Sequence, residues 1–333
     1  MKRVVFTILG ALAVSATCAA ATSSTNYAVL QRHALGGAGK WDYVTLDAAT
    51  QRLYIARGDR VMVMNTQSGK LIGEVLGVNG AHRVVIVPGQ KHGYVTSGHG
   101  NAVMPFDLAT FKPLPAISLS GKGPDGMLYD EATARLWAFN GHSSNASMID
   151  PVSEKETGTV ALPGKPEFAV TDSAGHIYVN LEDKSQVAEI DARAGRVIAT
   201  WPLAPCEGPT GLAIDVQHKR LFSACANQQL VVLDATDGRR VAALPIGSDP
   251  DAAGYDAGTG SVFSSNADGT LTVIHQADAE HYTVVANVVT AKDARTLAVD
   301  TETHRVFLAA PDVTAAGQAS TQGSFGVLVV GTH

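Results

Sequence analysis

The amino-acid sequence predicts an all-β protein, a seven-bladed β-propeller of four-stranded antiparallel blades, and two features carry this prediction. The first is a unit of short apolar runs separated by turn residues, which is clearest from Pro209 to Gly247. Its runs are TGLAID, RLFSAC, QLVVLD and RRVAAL, and each is too short for a helix but suits a strand. A four-stranded meander cannot bury both of its faces alone, so several copies must pack side by side.

The second feature is the repetition of this unit along the chain. The residue that closes the first strand recurs at intervals of roughly 41 to 44 residues, which is the period of a propeller blade. Its positions are Asp47, Pro88, Asp130, Asp172, Asp215, Asp256 and Asp300. Because no linker interrupts the repeats, residues 22–333 are expected to form a single domain.

The two ends of the repeat array predict how the ring closes. A strand over residues 25–35 precedes the first repeat and has no partner there, whereas the last repeat stops after its third strand. We therefore expect the N-terminal strand to become the outer strand of the last blade. Closure of this kind protects the strand edges that an open sheet would expose.

Residues 1–21 are predicted to be a secretory signal peptide. A basic start precedes an apolar run over residues 4–14, and Ala19-Ala20-Ala21 offers a cleavage site. This pattern fits bacterial export, so a periplasmic location is expected. Cys18 raises a lipoprotein alternative, but the residues before it lack the large aliphatic side chain of a lipobox. No later run is long and apolar enough to span a membrane, so no membrane span is expected in the mature chain.

Charge and cysteine content narrow the possible partners and the compartment. The formal net charge of −6 argues against nucleic acid or an anionic membrane surface as a partner. Cys206 precedes the fifth blade and Cys225 ends its second strand, two places at the same end of a meander. An exported chain with these two remaining cysteines predicts a disulfide between them, the alternative being two free buried thiols. A monomer is expected.

Three segments carry a family resemblance. They are RLYIARGDRVMVMNTQSGKLIGEV, GYVTSG and IYVNLEDKSQVAEIDARAGRVIATW, with a Tyr-Val strand, a short turn, a V-x-V-x-D strand and a T-x-x-G turn. Over roughly residues 39–310 the chain resembles the exported YVTN-repeat, or YncE-like, seven-bladed β-propellers. The resemblance implies the fold and a binding role, but its motif residues build blades. The second blade departs from the pattern at Pro88 and at Thr110-Phe111, so it is expected to be less regular.

The candidate binding site lies where the central channel opens. Loops between blades and loops between second and third strands share one face of a propeller, and the innermost strands begin there. The residues at the starts of the innermost strands are nearly all charged, and they are Asp42, Arg83, Asp125, Glu167, Thr210, Asp251 and Arg295. Loop histidines add to the ring, and the predicted ligand-binding residues are Asp42, His82, Arg83, His99, Asp125, His142, Glu167, Asp251 and Arg295. The competing interpretation is a polar rim that solvates the opening and pins neighbouring blades.

The chemistry of this ring is uneven. Arg83 and Arg295 are expected to attract a carboxylate or a phosphate. Asp125 and Glu167 are neighbouring acids, and like charges held close favour a bound cation. They are therefore the predicted metal ligands if a divalent cation is bound, and no other cofactor is expected. Oxygen ligands suit Ca²⁺ or Mg²⁺, and added imidazoles would admit a transition metal.

Two functions from different classes fit these residues. The favoured hypothesis is a non-enzymatic module that binds a small polar molecule or a partner protein at the channel opening. The alternative is a metal-dependent hydrolase or lyase, resembling propeller lactonases, and whether the protein is an enzyme stays open. No catalytic residue is assigned, because the sequence has no nucleophile elbow, H-E-x-x-H, P-loop or dinucleotide motif. A low-charge loop over Pro311–Gly323 is expected to be mobile and to overhang the opening.

Overall fold

The computed structural model describes residues 26–37, 39–311 and 324–333. The predicted signal peptide lies outside the described residues, as do residues 312–323 of the loop that the sequence predicts to be mobile. A search of the described residues finds no helix that is long and apolar enough to cross a membrane.

The described chain forms 27 β-strands, numbered β1 to β27 in chain order, and they build seven four-stranded antiparallel blades. The first blade contains β2 (Val44–Asp47), β3 (Arg52–Ala56), β4 (Gly58–Asn65) and the first part of β5 (Leu71–Ile86). The second contains the rest of β5, β6 (His92–Ser97), β7 (Ala102–Asp107) and β8 (Ile117–Ser118). The third contains β9 (Pro124–Asp130), β10 (Arg135–Asn140), β11 (Asn145–Asp150) and β12 (Lys155–Ala161).

The remaining blades follow the same order. The fourth contains β13 (Pro166–Thr171), β14 (His176–Leu181), β15 (Gln186–Asp191) and β16 (Arg196–Pro202), with a 3₁₀ turn at Glu182–Lys184. The fifth contains β17 (Pro209–Asp215), β18 (Arg220–Cys225), β19 (Gln229–Asp234) and β20 (Arg240–Pro245). The sixth contains β21 (Pro250–Asp256), β22 (Ser261–Asn266), β23 (Thr270–Gln276) and β24 (Tyr282–Val289). The seventh contains β25 (Thr296–Asp300), β26 (Arg305–Pro311), β27 (Phe325–Thr332) and β1 (Tyr27–Ala34).

The innermost strands β2, β5, β9, β13, β17, β21 and β25 contact one another in sequence, and β25 contacts β2, so the blades form a closed ring around a channel. Closure by the N-terminal strand is confirmed. β1 pairs antiparallel with β27, with Tyr27 opposite Thr332 and Ala34 opposite Gly326. The seven-bladed propeller predicted from the repeat period is thus the fold of the described chain.

The recurring aspartate closes the first hairpin of a blade and can also join neighbouring blades. Asp130 is fully buried, and its Oδ2 accepts hydrogen bonds from the Thr133 amide at 3.0 Å and the Thr133 hydroxyl at 2.6 Å. Its Oδ1 accepts a third bond, at 2.8 Å, from the Thr171 hydroxyl of the next blade. A buried carboxylate needs such partners, because burying it without hydrogen bonds would destabilise the fold by at least about 2 kcal/mol.

Apolar side chains fill the spaces between blades. One cluster joins Trp137 and Phe139 of the third blade to Ile177 and Val179 of the fourth, all fully buried. The predicted disulfide is present, because Cys206 and Cys225 are bonded with their Cα atoms 5.4 Å apart.

The second blade is irregular, as the departures from the repeat pattern predicted. Its outer strand β8 has two residues, and Phe111 takes a positive φ of 59° where the first, fourth and fifth blades have Gly69, Gly195 and Gly238. Its innermost strand is the continuation of β5, so the first two blades share one seven-stranded sheet.

Candidate functional site at the channel opening

Prolines start several of the innermost strands and thereby fix where the charged residues stand. Pro124, Pro166 and Pro250 are the first residues of β9, β13 and β21. Proline suits a strand start because it has no amide hydrogen for the ladder. The next residue in each strand is therefore held at the channel opening, and these residues are Asp125, Glu167 and Asp251.

A cavity of about 380 Å³ occupies the opening and is called the mouth cavity below. It brings together seven of the nine predicted ligand-binding residues, namely Asp42, His82, His99, Asp125, Glu167, Asp251 and Arg295. Lys40, Trp41 and Tyr43 are among its other lining residues. Four carboxyl groups from four different blades thus face one small space.

Two predicted residues lie elsewhere. Arg83 lines a separate cavity of about 260 Å³, whose walls are mostly apolar residues from the middle of the innermost strands. Its guanidinium carbon lies 5.2 Å from the centre of the Tyr43 ring. His142 is exposed and packs beside Gly123, and it does not line the mouth cavity. The structure therefore does not bring Arg83 and Arg295 into one cavity.

Two of the four carboxylates have basic partners. Lys165 Nζ lies 2.7 Å from Glu167 Oε1 and also bonds Glu182. Arg295 Nε lies 3.2 Å from Asp251 Oδ2. These ion pairs are half-buried, so they hold the Glu167 and Asp251 side chains in place at the edge of the cavity.

The other two carboxylates share a single imidazole. His82 Nδ1 donates to Asp42 Oδ2 at 2.5 Å and lies 3.4 Å from Asp125 Oδ1. One ligand atom from each of these three residues lies within 4.8 Å of the other two. The sequence paired Asp125 with Glu167 as metal ligands, whereas the structure groups Asp125 with Asp42 and His82 and gives Glu167 to Lys165.

Neighbouring strands position this group firmly. The Thr96 hydroxyl of the second blade donates to the Asp125 carbonyl oxygen at 2.7 Å, which ties the start of β9 to β6. Because His82 lies on β5 of the same blade as Thr96, this bond also sets the separation between His82 and Asp125.

Burial and crowding shift the protonation of the mouth cavity. Burial raises the pKa of Asp125 to about 6, with a contribution from the Asp42 charge, and raises the pKa of Asp251 to about 7 against the effect of Arg295. Burial and the Asp125 charge raise the pKa of Glu167 to about 8. Burial works against the charged form of His82, but its bond to Asp42 and the nearby carboxylates lift its pKa to about 8. Burial and mutual repulsion disfavour the ionised form of these acids, and a bound cation would stabilise that form.

Tyr43 is a functional candidate that sequence reasoning missed. It is 4 % exposed and stacks on Phe168 with ring centres 4.4 Å apart. Its hydroxyl has no hydrogen-bond partner among the described residues. Burial, with smaller effects from the charges of Asp125 and Glu167, raises the pKa of Tyr43 well above its usual value.

Lys165 was also missed, although the sequence held a signal for it. It stands two residues before Glu167, and alternate residues of an extended chain point to the same side. No comparable signal in the sequence marks Tyr43, which stands just before β2.

Comparison with known proteins supports the fold. No protein-family model matches the chain, and no curated protein matches it. The chain is similar to a chain in a crystal structure of the mitotic checkpoint complex, with a TM-score of 0.71, 13% identity and 98% of each chain covered. It is also similar to the RRP9 WD40 repeats, with a TM-score of 0.75, 8% identity and coverage of 94% of this chain and 99% of the other. For U3-55K the TM-score is 0.74 at 8% identity, covering 91% and 98%. At these identities the similarity establishes the class, a β-propeller.

Proposed function

We propose that this protein is an exported binding module of the YncE-like β-propeller type. Its mouth cavity would bind a small polar molecule, or a side chain of a partner protein, through a cationic group. The observation that carries the proposal is the convergence of Asp42, Asp125, Glu167 and Asp251, from four blades, on one cavity of about 380 Å³.

Folding alone does not account for this convergence. Partly burying a carboxylate is unfavourable unless it is paired, and closely spaced carboxylates repel one another. In the part of the chain that the structure describes, Lys165 and Arg295 pair with two of the four carboxylates, and His82 alone pairs with the other two. Groups with raised pKa values in a concave site are typical of binding and catalytic sites. A cationic ligand group would relieve the repulsion directly.

Sequence features support the remaining parts of the proposal. The predicted signal peptide over residues 1–21 and the YVTN-like repeat segments support export to the periplasm and the family relationship. One structural neighbour was solved as part of a protein complex, which supports a partner protein as one form of ligand. An acidic opening of this kind would accept a lysine or arginine side chain of such a partner.

A metal-dependent hydrolase or lyase is the second candidate, and one observation favours it. Asp42, His82 and Asp125 place three ligand atoms within 4.8 Å of one another. Glu167 and Asp251 are the other carboxyl groups of the cavity that could transfer a proton, whereas His142 lies outside it.

Isothermal titration calorimetry with organic cations tests the proposal. Spermidine and a lysine-rich peptide are titrated into the disulfide-intact mature protein in EDTA, so that metal ions do not contribute. We expect saturable binding that weakens at least about tenfold in a Glu167→Gln/Asp251→Asn double variant, since a charge-assisted hydrogen bond contributes about 1.5–3 kcal/mol.

The matched control is Glu302→Gln, because Glu302 is an exposed acid in the β25–β26 turn at the opposite end of the channel. This control should bind both cations as the parent does. Equal affinity in the parent and the double variant, or no binding by the parent, would overturn the proposal and leave the polar rim as a structural clamp between blades.

A further inference from the structure

Within the mouth cavity, one group of side chains differs from the rest in both geometry and charge. We propose that Asp42, His82 and Asp125 bind a single divalent transition-metal ion of the zinc or manganese kind. This inference rests on the proposed function, because it assumes that the mouth cavity is a binding site. It identifies a metal ion as the ligand of one part of that cavity.

The three residues come from three consecutive blades. Asp42 lies just before β2, His82 is in β5, and Asp125 is in β9. His82 Nδ1 lies 2.5 Å from Asp42 Oδ2 and 3.4 Å from Asp125 Oδ1. Each side chain is between a quarter and a third exposed, whereas the Asp125 Oδ1 atom itself is buried. A site carried by innermost strands is held more rigidly than one carried by loops alone.

The distribution of partners points to this group within the cavity. Glu167 is held by Lys165 and Asp251 by Arg295, so both have a cation. Among the described residues, the basic group paired with Asp42 and Asp125 is the His82 imidazole alone. Asp125 Oδ1 accepts no hydrogen bond from any described residue. A carboxylate oxygen without a hydrogen bond, close to a second carboxylate, is where a bound cation would be stabilised most strongly.

The ligand types indicate the class of metal. Imidazole nitrogen with carboxylate oxygen suits zinc, manganese and iron, whereas calcium and magnesium take oxygen ligands alone. Two carboxylates balance the charge of a divalent ion, and the imidazole would bind the ion after releasing its proton. Three protein ligands leave coordination positions open for water or for another ligand.

Tyr43 supplies an independent observation that points to a ligand. Its side chain is 4 % exposed and lines the same cavity, yet its hydroxyl has no hydrogen-bond partner in the described chain. Buried hydroxyls are normally bonded, so a partner is expected in the cavity. Water held by a metal ion at Asp42, His82 and Asp125 would supply that partner.

Metal titration of the full mature protein tests the proposal. After dialysis against EDTA and its removal, Zn²⁺ and Mn²⁺ are titrated in separate calorimetry runs. We expect one ion per chain, with affinity reduced at least tenfold in His82→Ala and in Asp125→Asn. Asp125→Asn retains the shape of the side chain and the backbone bond from Thr96, so folding is expected to survive it. Tyr43→Phe should weaken binding by two- to tenfold.

The control variant is His281→Ala. His281 forms an exposed pair with Asp278 at 2.9 Å and belongs to no group of three ligand atoms in the described chain, so its loss should change the affinity less than twofold. An absence of saturable binding by the parent, or affinities of His82→Ala and Asp125→Asn within threefold of the parent, would overturn the metal site.

A second comparison separates this inference from the proposed function. The Glu167→Gln/Asp251→Asn variant should bind metal within threefold of the parent while losing spermidine. If the parent binds spermidine but no metal, the metal site is wrong and the binding module stands. If metal binds and spermidine does not, the metal site stands and the organic-cation module is wrong.

Discussion

At the channel opening, the protonation state of Asp251 affects the stability of the folded protein. It faces Arg295 at 3.2 Å but is otherwise surrounded by acids and by protein, and burial raises its pKa from 3.8 to about 7. The folded protein therefore binds this proton more readily than the unfolded chain does between about pH 4 and pH 7. Stability must fall as the pH rises through that range, and the penalty is complete above about pH 7.

Replacing Asp251 by Asn removes this titration and leaves a side chain of similar shape. We expect the melting temperature of the parent, relative to that of Asp251→Asn, to fall steadily from pH 4.5 to pH 7.5. Thermal unfolding of both proteins in EDTA measures this difference, with Glu302→Gln as the reference for an exposed acid. A difference that does not change with pH would contradict the buried state of this carboxyl group.

Register along the innermost strands predicted the acids of the mouth cavity, because the repeat fixes which residue begins each strand. Register did not predict the position of the charged group at the end of a long side chain. Arg83 occupies the equivalent position, yet its guanidinium lies over the Tyr43 ring in the neighbouring cavity. An aromatic face attracts a cation by its quadrupole, and only the packed structure shows that this ring is within reach.

Among the secondary-structure elements, the hairpin turns differ in how much they contribute to packing between blades. Asp130 is fully buried and bonds both its own turn and Thr171 of the next blade. Asp47 holds the equivalent position in the first blade, but its side-chain bonds to described residues all go to Thr50 in its own exposed turn. The same sequence signal therefore marks a joint between blades at one position and a local cap at the other.

Alanine substitutions at these two aspartates should separate the two roles. We expect Asp130→Ala to cost about 2–4 kcal/mol, because it leaves partly buried donors in two blades, at Thr133 and Thr171, without their acceptor. Asp47→Ala should cost at most about 1 kcal/mol, the scale of one exposed cap. Urea unfolding of the disulfide-intact variants measures both changes, and equal losses would show that Asp130 acts only within its own hairpin.

Strand positions could be predicted from short apolar runs and turn residues, but the shared sheet of the first two blades could not. β5 continues from Leu71 to Ile86 across the connection between blades. Gly77 and Gly80 take positive φ values of 81° and 76° within it, which lets the strand bend without ending. The pairing of this stretch depends on the neighbouring blade, for example through the bond from the Gly98 amide to the Gly80 carbonyl. A local sequence pattern does not show which distant residue will pair with a given strand.

On the scale of the whole molecule, the ring is held closed by its first described strand. β1 completes the last blade through its ladder with β27, and it also contacts β24 of the sixth blade and, through His33, the first blade. The Tyr27 hydroxyl lies 3.1 Å from Ser261 Oγ of the sixth blade, and its ring meets Phe263 edge-on at 5.7 Å. His33 packs against Gly69 of the first blade so closely that a side chain on Gly69 would overlap it. The repeat period and two incomplete ends predicted this closure, but not these contacts.

Removal of the closing strand should therefore open the ring. Deleting residues 22–36 exposes the edge of β27 together with apolar surface under Tyr27 and Val29, which pack against the core shared by the sixth and seventh blades. We expect a loss of several kcal/mol, from burial of roughly 25 cal/mol per Å². We also expect concentration-dependent association, because an unpaired edge pairs with other chains.

Differential scanning calorimetry and sedimentation velocity measure the two effects. A synthetic peptide of residues 26–36 should restore much of the melting temperature by pairing with β27 in trans. Arg32→Ala is the matched control, since Arg32 is exposed on the same strand and its loss should leave the ring closed. A deletion variant that melts with the parent and stays monomeric would mean that the other three strands hold the last blade without β1.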